Sequence, residues 1–253
     1  MSDLLSVVIP TFNEGGNIEN LVSQIDEALE GINYEIIFVD DSKDNTPDII
    51  KEVSKKYPSV RLYHRENKSG LATAVLDGFR IARGDYIACM DADLQHPPIV
   101  LKYMYKAIVV GGADVCVPSR FIPGGNDGGL NAYRKFVSGT ARKMGQVILP
   151  CLRKFTDPTS GLFMFKKEVI EHAILSPIGW KIMIEVLAMG SYSKVVEIPY
   201  TFQQRFAGES KLSGKVTIEY LNQLLSLRKR YNKANKYSVE IWSEEKMLSY
   251  DNK

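Results

Sequence analysis

Acidic residues follow three short apolar runs, and their spacing suits the binding of a divalent cation. Asp91 and Asp93 lie one residue apart in DADLQHP, Asp40 and Asp41 follow EIIFV, and Glu14 ends LSVVIPTFNE. In an extended segment, side chains two residues apart point to the same side, so Asp91 and Asp93 can share one ion. Hard oxygen ligands of this kind favour magnesium or manganese over zinc.

A cation held by two carboxylates implies a phosphorylated substrate. Magnesium usually bridges one or two carboxylates to substrate phosphates and seldom sits in an all-protein cage. Asp40 and Asp41 can then accept hydrogen bonds from a nucleoside, as acidic residues at a second strand end do in dinucleotide-binding folds. Each pair taken alone also fits a turn or a helix cap. Three such groups at successive strand ends favour a diphosphate site.

Other phosphate-binding chemistries lack their motifs in this chain. GxxxxGK[ST] is absent, and the first strand is followed by TFNEGG instead of GxGxxG. An aspartyl-phosphate hydrolase would need its nucleophile where Pro10 and Thr11 stand, and a nucleotidyltransferase would need a glycine-rich loop there. Among these phosphate-binding chemistries, a diphosphate bound through a metal ion is the one that the motifs still allow.

The elements that must position these acids alternate along the first half of the chain. Four apolar runs predict strands buried on both faces, at residues 5–9, 35–39, 60–63 and 85–90. Apolar residues at helical spacing lie between them, and Thr46 followed by Pro47 is typical of a helix start. The predicted fold class is therefore α/β, a mainly parallel sheet flanked by helices, which binds ligands at the carboxyl ends of its strands.

Composition sets limits on partners and location. The 253 residues are 45% hydrophobic and 25% charged, typical of a globular domain, and the net charge of +2 predicts no nucleic-acid partner. Three cysteines without a CxxC pair fit neither a zinc site nor a disulfide framework. The apolar runs are shorter than a membrane span, and the start MSDLL is no signal peptide. These features predict a cytoplasmic protein whose membrane contact is peripheral, at the cytosolic face.

The ordered motifs resemble a known family. VVIPTFNE, VDDS, KSGLA and DADLQHP resemble the inverting glycosyltransferase family 2 with its GT-A fold. SRF, NAYRKFV, DPTSG, GWKIMIE and RFAGESKL are similar to the dolichyl-phosphate mannosyltransferase group, also called polyprenyl-phosphate mannose synthases. The resemblance implies one catalytic domain over 1–232, with a nucleotide-sugar-binding half (1–123) and an acceptor and lipid half (124–232). A polar C-terminal tail, 233–253, is expected to follow.

The resemblance implies transfer of mannose from GDP-mannose to a dolichyl or polyprenyl phosphate, with Mg²⁺ or Mn²⁺ as cofactor. The same reaction with UDP-glucose or another nucleotide sugar stays open, because the motifs specify the diphosphate better than the base. A non-catalytic nucleotide-sugar-binding subunit is the alternative of a different class. The intact acidic and basic motif residues argue against that alternative.

The resemblance also assigns roles to individual residues. The metal ligands are Asp91, Asp93 and Gln95, and the catalytic residues are Asp93, Arg205 and Lys211. The acceptor phosphate is assigned to Arg120, Arg134, Ser160 and Gly161. The residues expected to bind the nucleotide sugar are Pro10, Phe12, Asn13, Glu14, Val39, Asp41, Lys68, Gly70, Leu71, Asp91, Ala92, Asp93, Gln95, Arg120, Lys181, Arg205 and Lys211.

The acceptor chemistry limits the need for a catalytic base. A phosphate monoester has a second pKa near 6, so it is already an anion at neutral pH and requires cationic guidance instead. Asp157 and Glu185 are therefore predicted to be loop caps or partners of Lys181, and His96 a turn or supporting residue.

Two amphipathic segments provide a surface for the lipid. Residues 132–152 combine an apolar helical stripe with flanking arginines and lysines, and residues 216–227 lead into a basic cluster. The stripe is also compatible with a helix packed on the core. The motif context favours a helix in the membrane interface. The polar tail is compatible with a partner subunit that anchors the protein to the membrane.

Overall fold

The structure, a computed structural model, describes residues 3–66, 70–129, 132–204 and 214–250, except the side chains of residues 133, 134 and 214–216. Strands and helices alternate along most of the described chain. In chain order these are β1 (Leu5–Thr11), α1 (Gly15–Ala28), β2 (Tyr34–Asp40), α2 (Thr46–Lys56), β3 (Val60–His64), α3 (Leu71–Ile81), β4 (Tyr86–Cys89), α4 (Ile99–Val109), β5 (Val115–Ser119), α5 (Ala132–Ile148), β6 (Phe163–Lys166), α6 (Ile182–Met189), β7 (Lys194–Pro199), α7 (Gly214–Arg230), β8 (Ser238–Ile241) and α8 (Glu244–Leu248). Short 3₁₀ helices cover Pro150–Leu152 and Lys167–Ile170.

The described strands form one eight-stranded sheet in the order β3-β2-β1-β4-β6-β5-β7-β8. Every neighbouring pair is parallel except those of β6, which runs antiparallel to both β4 and β5. The four strands predicted from apolar runs are confirmed as β1 to β4, and α2 begins at Thr46 as predicted. The chain steps outward from β1 to β3 and then returns to the other side of β1 as β4. This reversal opens a crevice at the carboxyl ends of β1 and β4.

The sheet is covered on both faces, which explains why its central strands are apolar throughout. All seven residues of β1 are buried. Alternate side chains enter different clusters: Val7 and Ile9 pack with α1 and α4 on one face, and Val8 packs with α3 on the other. Gly78 lets α3 approach closely, because a Cβ there would lie 2.3 Å from the Val8 Cγ1 atom.

The three cysteines carry no disulfide. Cys89 and Cys116 are buried in the core and Cys151 is partly buried. Burial raises the pKa of the Cys89 and Cys116 thiols, so neither favours the reactive thiolate.

The C-terminal segment corrects the predicted polar tail. Residues Ser238–Ile241 pair in parallel with β7, with Val239 opposite Val195, and so extend the sheet. Trp242 is buried and stacks on Tyr250 with ring centroids 4.6 Å apart. Because the free edge of β7 offers unpaired backbone groups, a mostly polar segment with a few apolar side chains can join the domain there. Residues 251–253 lie outside the described part of the chain.

The two amphipathic segments form α5 and α7, which pack against each other. The Tyr220 hydroxyl donates to the Ala141 carbonyl oxygen over 2.9 Å. The predicted stripe on α5 divides: Met144 faces the core, whereas Phe136 and Val147 are 72% and 74% exposed. The core-packing interpretation therefore holds for Met144, whereas membrane contact by the exposed residues stays a prediction.

Candidate active site

The loop after β1 is tied to the loop after β2. The Asn13 backbone N–H donates to the Ser42 hydroxyl over 2.8 Å, and the Lys43 N–H donates to Asn13 Oδ1 over 3.1 Å. Asn13 has φ of 57°, a left-handed conformation that asparagine tolerates better than most residues. The Glu14 N–H donates to the Thr46 hydroxyl. Thr46 therefore binds the neighbouring loop and does not cap its own helix.

The first acid of the β2 end, Asp40, is structural. Its fully buried carboxylate accepts hydrogen bonds from the hydroxyls of Thr11 and Ser42 and contacts His64 Nδ1 at 2.7 Å. The Ser42 N–H occupies a fourth position. Because a carboxylate has about four lone-pair sites, Asp40 has none to offer a nucleoside. The prediction that Asp40 contacts the nucleoside is wrong for this reason.

The second acid, Asp41, has a partner that the sequence did not reveal. Arg65 grips it with Nε 2.7 Å from Oδ1 and Nη2 2.6 Å from Oδ2. The Gly70 N–H adds a third hydrogen bond, to Oδ2. Gly70 has φ of 121°, which favours glycine, and Leu71 begins α3 directly after it. Lys68 lies outside the described residues.

Pro10 and Val39 are register partners on β1 and β2, and both side chains are buried. Val39 packs in the cluster beneath α3. A ligand could therefore meet these two residues only through their backbone. Phe12, in contrast, has an exposed ring at the strand end.

The acidic pair after β4 lies in a turn and not in an extended segment. The strand ends at Cys89, and Leu94 has φ of 59°. The Asp91 side chain is 44% exposed, whereas Ala92 and Asp93 are buried. Asp93 Oδ1 accepts the Gln95 backbone N–H over 3.1 Å, and the Gln95 side-chain amide donates to the Gln203 carbonyl oxygen. The alternation argument for the two acids is thus wrong, because both acids follow the end of the strand and Asp93 lies in a turn.

The loop before β6 closes over Asp91. Gly161 lies so near that a Cβ there would stand 2.2 Å from Asp91 Oδ2. His96 Nε2 is 4.0 Å from the same oxygen. Burial lowers the pKa of His96 to about 3, so this imidazole is neutral near pH 7 and brings no positive charge to Asp91.

The donor set fits a hard divalent ion that takes its other ligands from phosphates and water. Asp91 and Asp93 could supply carboxylate oxygens, and the Asp91 side chain is partly exposed where Gly161, without a Cβ, lies beside it. Across the described ranges, no three His, Cys, Asp or Glu side chains are grouped as a metal cage. A site with one or two carboxylates is what magnesium uses beside a diphosphate.

Three of the four predicted acceptor residues, Arg120, Ser160 and Gly161, belong to the same loop or bind to it. Arg120 follows β5 and binds Asp157 through Nε at 2.8 Å and Nη2 at 3.2 Å, with both side chains buried. Its guanidinium also lies over the Phe121 and Phe202 rings. Ser160 is buried and accepts the Leu162 N–H.

Lys181 reaches this loop from the residue before α6. Its ammonium donates to the Thr159 carbonyl oxygen over 2.7 Å. Burial lowers the pKa of Lys181, and the nearby Asp157 and Asp91 carboxylates oppose that shift. The Arg134 side chain and residues Arg205 and Lys211 lie outside the described part of the structure.

Two acids have partners other than the expected Lys181. Asp157 forms its ion pair with Arg120. Glu185, fully buried, accepts from the Ser176 N–H over 2.7 Å and from Arg230. Both side chains are thereby held by hydrogen bonds, and the absence of a base role for either stays a prediction.

Glu197 is a buried acid on β7 that none of the motifs singled out. Its Oε1 accepts the Thr156 N–H over 2.8 Å, next to Asp157. Burial raises the pKa of this carboxyl to about 7. A glutamate within an apolar strand, KVVEIP, is the one local signal that could have identified it.

Relatives of known name match most of the chain. The family model for glycosyl transferase family 2 matches residues 6–173. A dolichol-phosphate mannosyltransferase of Pyrococcus furiosus is 48% identical over 89% of this chain, which spans 64% of that relative's length. One of Saccharomyces cerevisiae is 36% identical over 90% of this chain and 88% of its own.

Solved structures share the fold. Glucosyl-3-phosphoglycerate synthase from Mycobacterium tuberculosis, in complex with Mn²⁺, UDP-glucose and phosphoglyceric acid, superposes with a TM-score of 0.69 over 91% of this chain and 81% of its own. The identity is 17%, so this likeness concerns the fold alone and confirms the GT-A expectation. On its sequence matches, the chain belongs to glycosyltransferase family 2, in the group whose named relatives are dolichol-phosphate mannosyltransferases.

Proposed function

We propose that the protein transfers mannose from GDP-mannose to a dolichyl or polyprenyl phosphate, with inversion at the sugar carbon. The observation that carries this proposal is the convergence of Asp91 with the loop holding Arg120, Ser160 and Gly161. This convergence supports a site in which a carboxylate pair would hold a metal diphosphate beside cations that would bind a second phosphate. The names of the relatives supply the sugar and the acceptor class.

The donor would lie across the carboxyl ends of β1, β2 and β4. Asp41 would accept from the nucleoside, and Phe12, Asn13 and Glu14 would border the ligand. Asp91, Asp93 and Gln95 would hold Mg²⁺ or Mn²⁺. A solved structure with the same fold contains Mn²⁺ and UDP-glucose, which supports this role. The ion would supply positive charge to the diphosphate. Arg205 and Lys211 remain proposed partners of the leaving group.

The acceptor phosphate would attack without a general base. It is ionised at neutral pH, and the two acids nearest in sequence to the acceptor motifs, Asp157 and Glu185, already bind Arg120 and Arg230. Lys181, together with Arg120 and Arg134, would steer this anion against the negative charge of the donor. Attack from the face opposite the leaving diphosphate inverts the anomeric centre.

The lipid would be met at the exposed apolar surface of α5 and α7, formed by Phe136, Val147, Ile218, Leu221 and Leu225. Exposed Arg228, Lys229, Lys233 and Lys236 follow this surface and can meet lipid phosphates. Among the helices that the structure describes, none has the length and apolar character needed to cross a bilayer. We therefore propose peripheral contact with the cytosolic face of a membrane, alone or beside an anchoring partner subunit.

A panel of nucleotide sugars tests the proposal. Purified protein is incubated with polyprenyl phosphate in detergent and with GDP-mannose, UDP-glucose, UDP-galactose or GDP-fucose, with Mn²⁺ or with EDTA. We expect a mannosyl phospholipid of inverted configuration from GDP-mannose, formed only with the metal. Preferred turnover of UDP-glucose would reassign the donor, and metal-independent transfer would contradict the role given to Asp91 and Asp93.

A further inference from the structure

The ends of β2 and β3 present two consecutive acids opposite two consecutive bases. In the parallel register, Asp40 lies opposite His64. The next residues along each strand, Asp41 and Arg65, therefore meet on the other side of the sheet. Both pairs form contacts, with His64 on Asp40 and Arg65 on Asp41.

Arg65 is fully occupied by the protein itself. Its Nε binds Asp41, and Nη2 binds Asp41 and the Gly70 carbonyl oxygen. Its Nη1 binds the Thr73 hydroxyl and Asp77 Oδ2. These contacts account for all five N–H donors of a guanidinium. The side chain is also buried, so Arg65 has no donor left for a substrate phosphate.

Asp41 differs from Asp40 in the number of its partners. Arg65 and Gly70 fill three of the about four lone-pair sites of the Asp41 carboxylate. Among the described residues none occupies the remaining site, on Oδ1, whereas all four sites of Asp40 are filled. The bidentate fork fixes the direction of that remaining site, because two parallel hydrogen bonds hold the carboxylate plane.

We infer that Arg65 is a positioning residue for the nucleoside of the donor, acting through Asp41. It also joins Asp41 to α3, through Gly70 before the helix and Asp77 within it, so that both sides of the nucleoside site are held as one unit. The inference rests on the proposed function, because it needs a nucleoside diphosphate at the β2 end. In this scheme Arg65 does not contact the diphosphate, which Asp91 and Asp93 would bind through the metal ion.

The test compares a ligand that has a nucleoside with one that has none. Binding of GDP, UDP, ADP and inorganic pyrophosphate is measured by calorimetry with saturating Mn²⁺, for the wild type and for Arg65→Lys. Lysine keeps the charge but loses the fork. We expect Arg65→Lys to weaken the tightest-binding nucleoside diphosphate by roughly ten- to a hundredfold, the loss of one or two charge-assisted hydrogen bonds. Pyrophosphate binding should stay within about twofold, and KM should change far more than kcat.

Arg80→Lys is the matched control. Arg80 also binds Asp77, through its Nη2, but its side chain is 72% exposed and lies at the far end of α3. Its substitution should leave the affinities for both ligands within about twofold. Asp77→Asn is a second variant and a milder change than Arg65→Lys. It should lower the affinity for the nucleoside diphosphate and leave the affinity for pyrophosphate unchanged.

Asp41→Asn decides whether Arg65 acts through Asp41. In that background, Arg65→Lys should add less than about threefold to the loss, because the two residues act as one unit. If Arg65→Lys lowered the affinity for the nucleoside diphosphate equally in the wild type and in Asp41→Asn, the inference would be overturned. It would also be overturned if Arg65→Lys and Asp77→Asn both weakened pyrophosphate binding as much as nucleoside diphosphate binding. A wild type that binds pyrophosphate but no nucleoside diphosphate would refute the proposed function together with the inference. Wild-type affinity in Arg65→Lys would refute the inference alone.

Discussion

At the scale of single residues, the size and charge of the side chains next to Asp91 determine which ligands the candidate site can bind. Gly161 leaves room for Asp91, and neutral His96 lies beside it without adding charge. Arg65 holds Asp41, and Asp157 holds Arg120, so each of these two side chains is oriented by a partner within the protein. The candidate site is therefore shaped as much by partners within the protein as by the residues expected to touch substrate.

Gly161→Ala should impair metal-dependent binding. The new Cβ would meet Asp91 Oδ2 at 2.2 Å, so that the carboxylate or the loop must shift. We expect Mn²⁺-dependent affinity for GDP to fall by at least about tenfold, the loss of roughly one ligand interaction. Calorimetry with and without Mn²⁺ measures this change. Gly139→Ala is the control, because its Cβ would meet nothing within 4 Å, and an equal effect in both variants would contradict the role of Gly161.

Glu197→Gln should change how stability depends on pH. The folded protein binds the Glu197 proton more tightly than the unfolded chain, with a pKa of about 7 against 4.5. The free energy of unfolding therefore falls as pH rises between these values, and glutamine removes that fall.

The stability difference between Glu197→Gln and the wild type should be about 3 kcal/mol more favourable to the variant at pH 8 than at pH 4.5. Urea unfolding at both pH values measures it. Parallel pH profiles for the two proteins would show that folding does not raise the pKa of Glu197.

At the scale of elements, register and amphipathic faces determine which residues meet. The parallel pairing of β2 and β3 places Arg65 on Asp41, 24 residues apart in sequence. On α5, Met144 packs inward while Phe136 and Val147 face outward. A helix can therefore belong to the core on one side and present apolar surface on the other.

Phe136→Ser with Val147→Ser should reduce binding to anionic lipid vesicles without lowering the melting temperature. Both side chains are exposed, so polar replacements cost the fold little and remove apolar contact with lipid. Vesicle co-sedimentation and thermal unfolding measure the two effects. Met144→Ser is the opposite case, with a lower melting temperature expected because Met144 packs against the core. Unchanged vesicle binding by the double variant would contradict the interfacial role.

At the scale of the whole molecule, one sheet joins the two halves and the C-terminal segment. The antiparallel β6 lies between β4 and β5 and connects the first four strands to β5, β7 and β8. It also places the loop of Gly161 directly above Asp91. Trp242, after β8, packs against Gly111, which follows α4.

Trp242→Ala should destabilise the entire domain. The side chain is 1% exposed within the main core cluster, so its removal should lower the free energy of unfolding by about 3–5 kcal/mol. Denaturant unfolding followed by circular dichroism measures this loss as a shift of a single transition. Ile241→Ala at an exposed position of β8 is the comparison, with a smaller expected loss. A wild-type midpoint for Trp242→Ala would show that 238–250 folds apart from the domain.

The local pattern of residues was sufficient to predict β1 to β4 and the start of α2, because strands buried on both faces require continuous apolar runs. It also predicted that the acidic residues lie at the carboxyl ends of these strands. The ordered motifs were sufficient for the family. Partners far apart in sequence were not predictable: Arg65 on Asp41, Asp157 on Arg120 and Glu185 on Arg230. Strand register and loop closure set such pairs, and no local pattern contains them. For the same reason only the tertiary structure decided that 238–250 completes the sheet and that Gly161 makes room for Asp91.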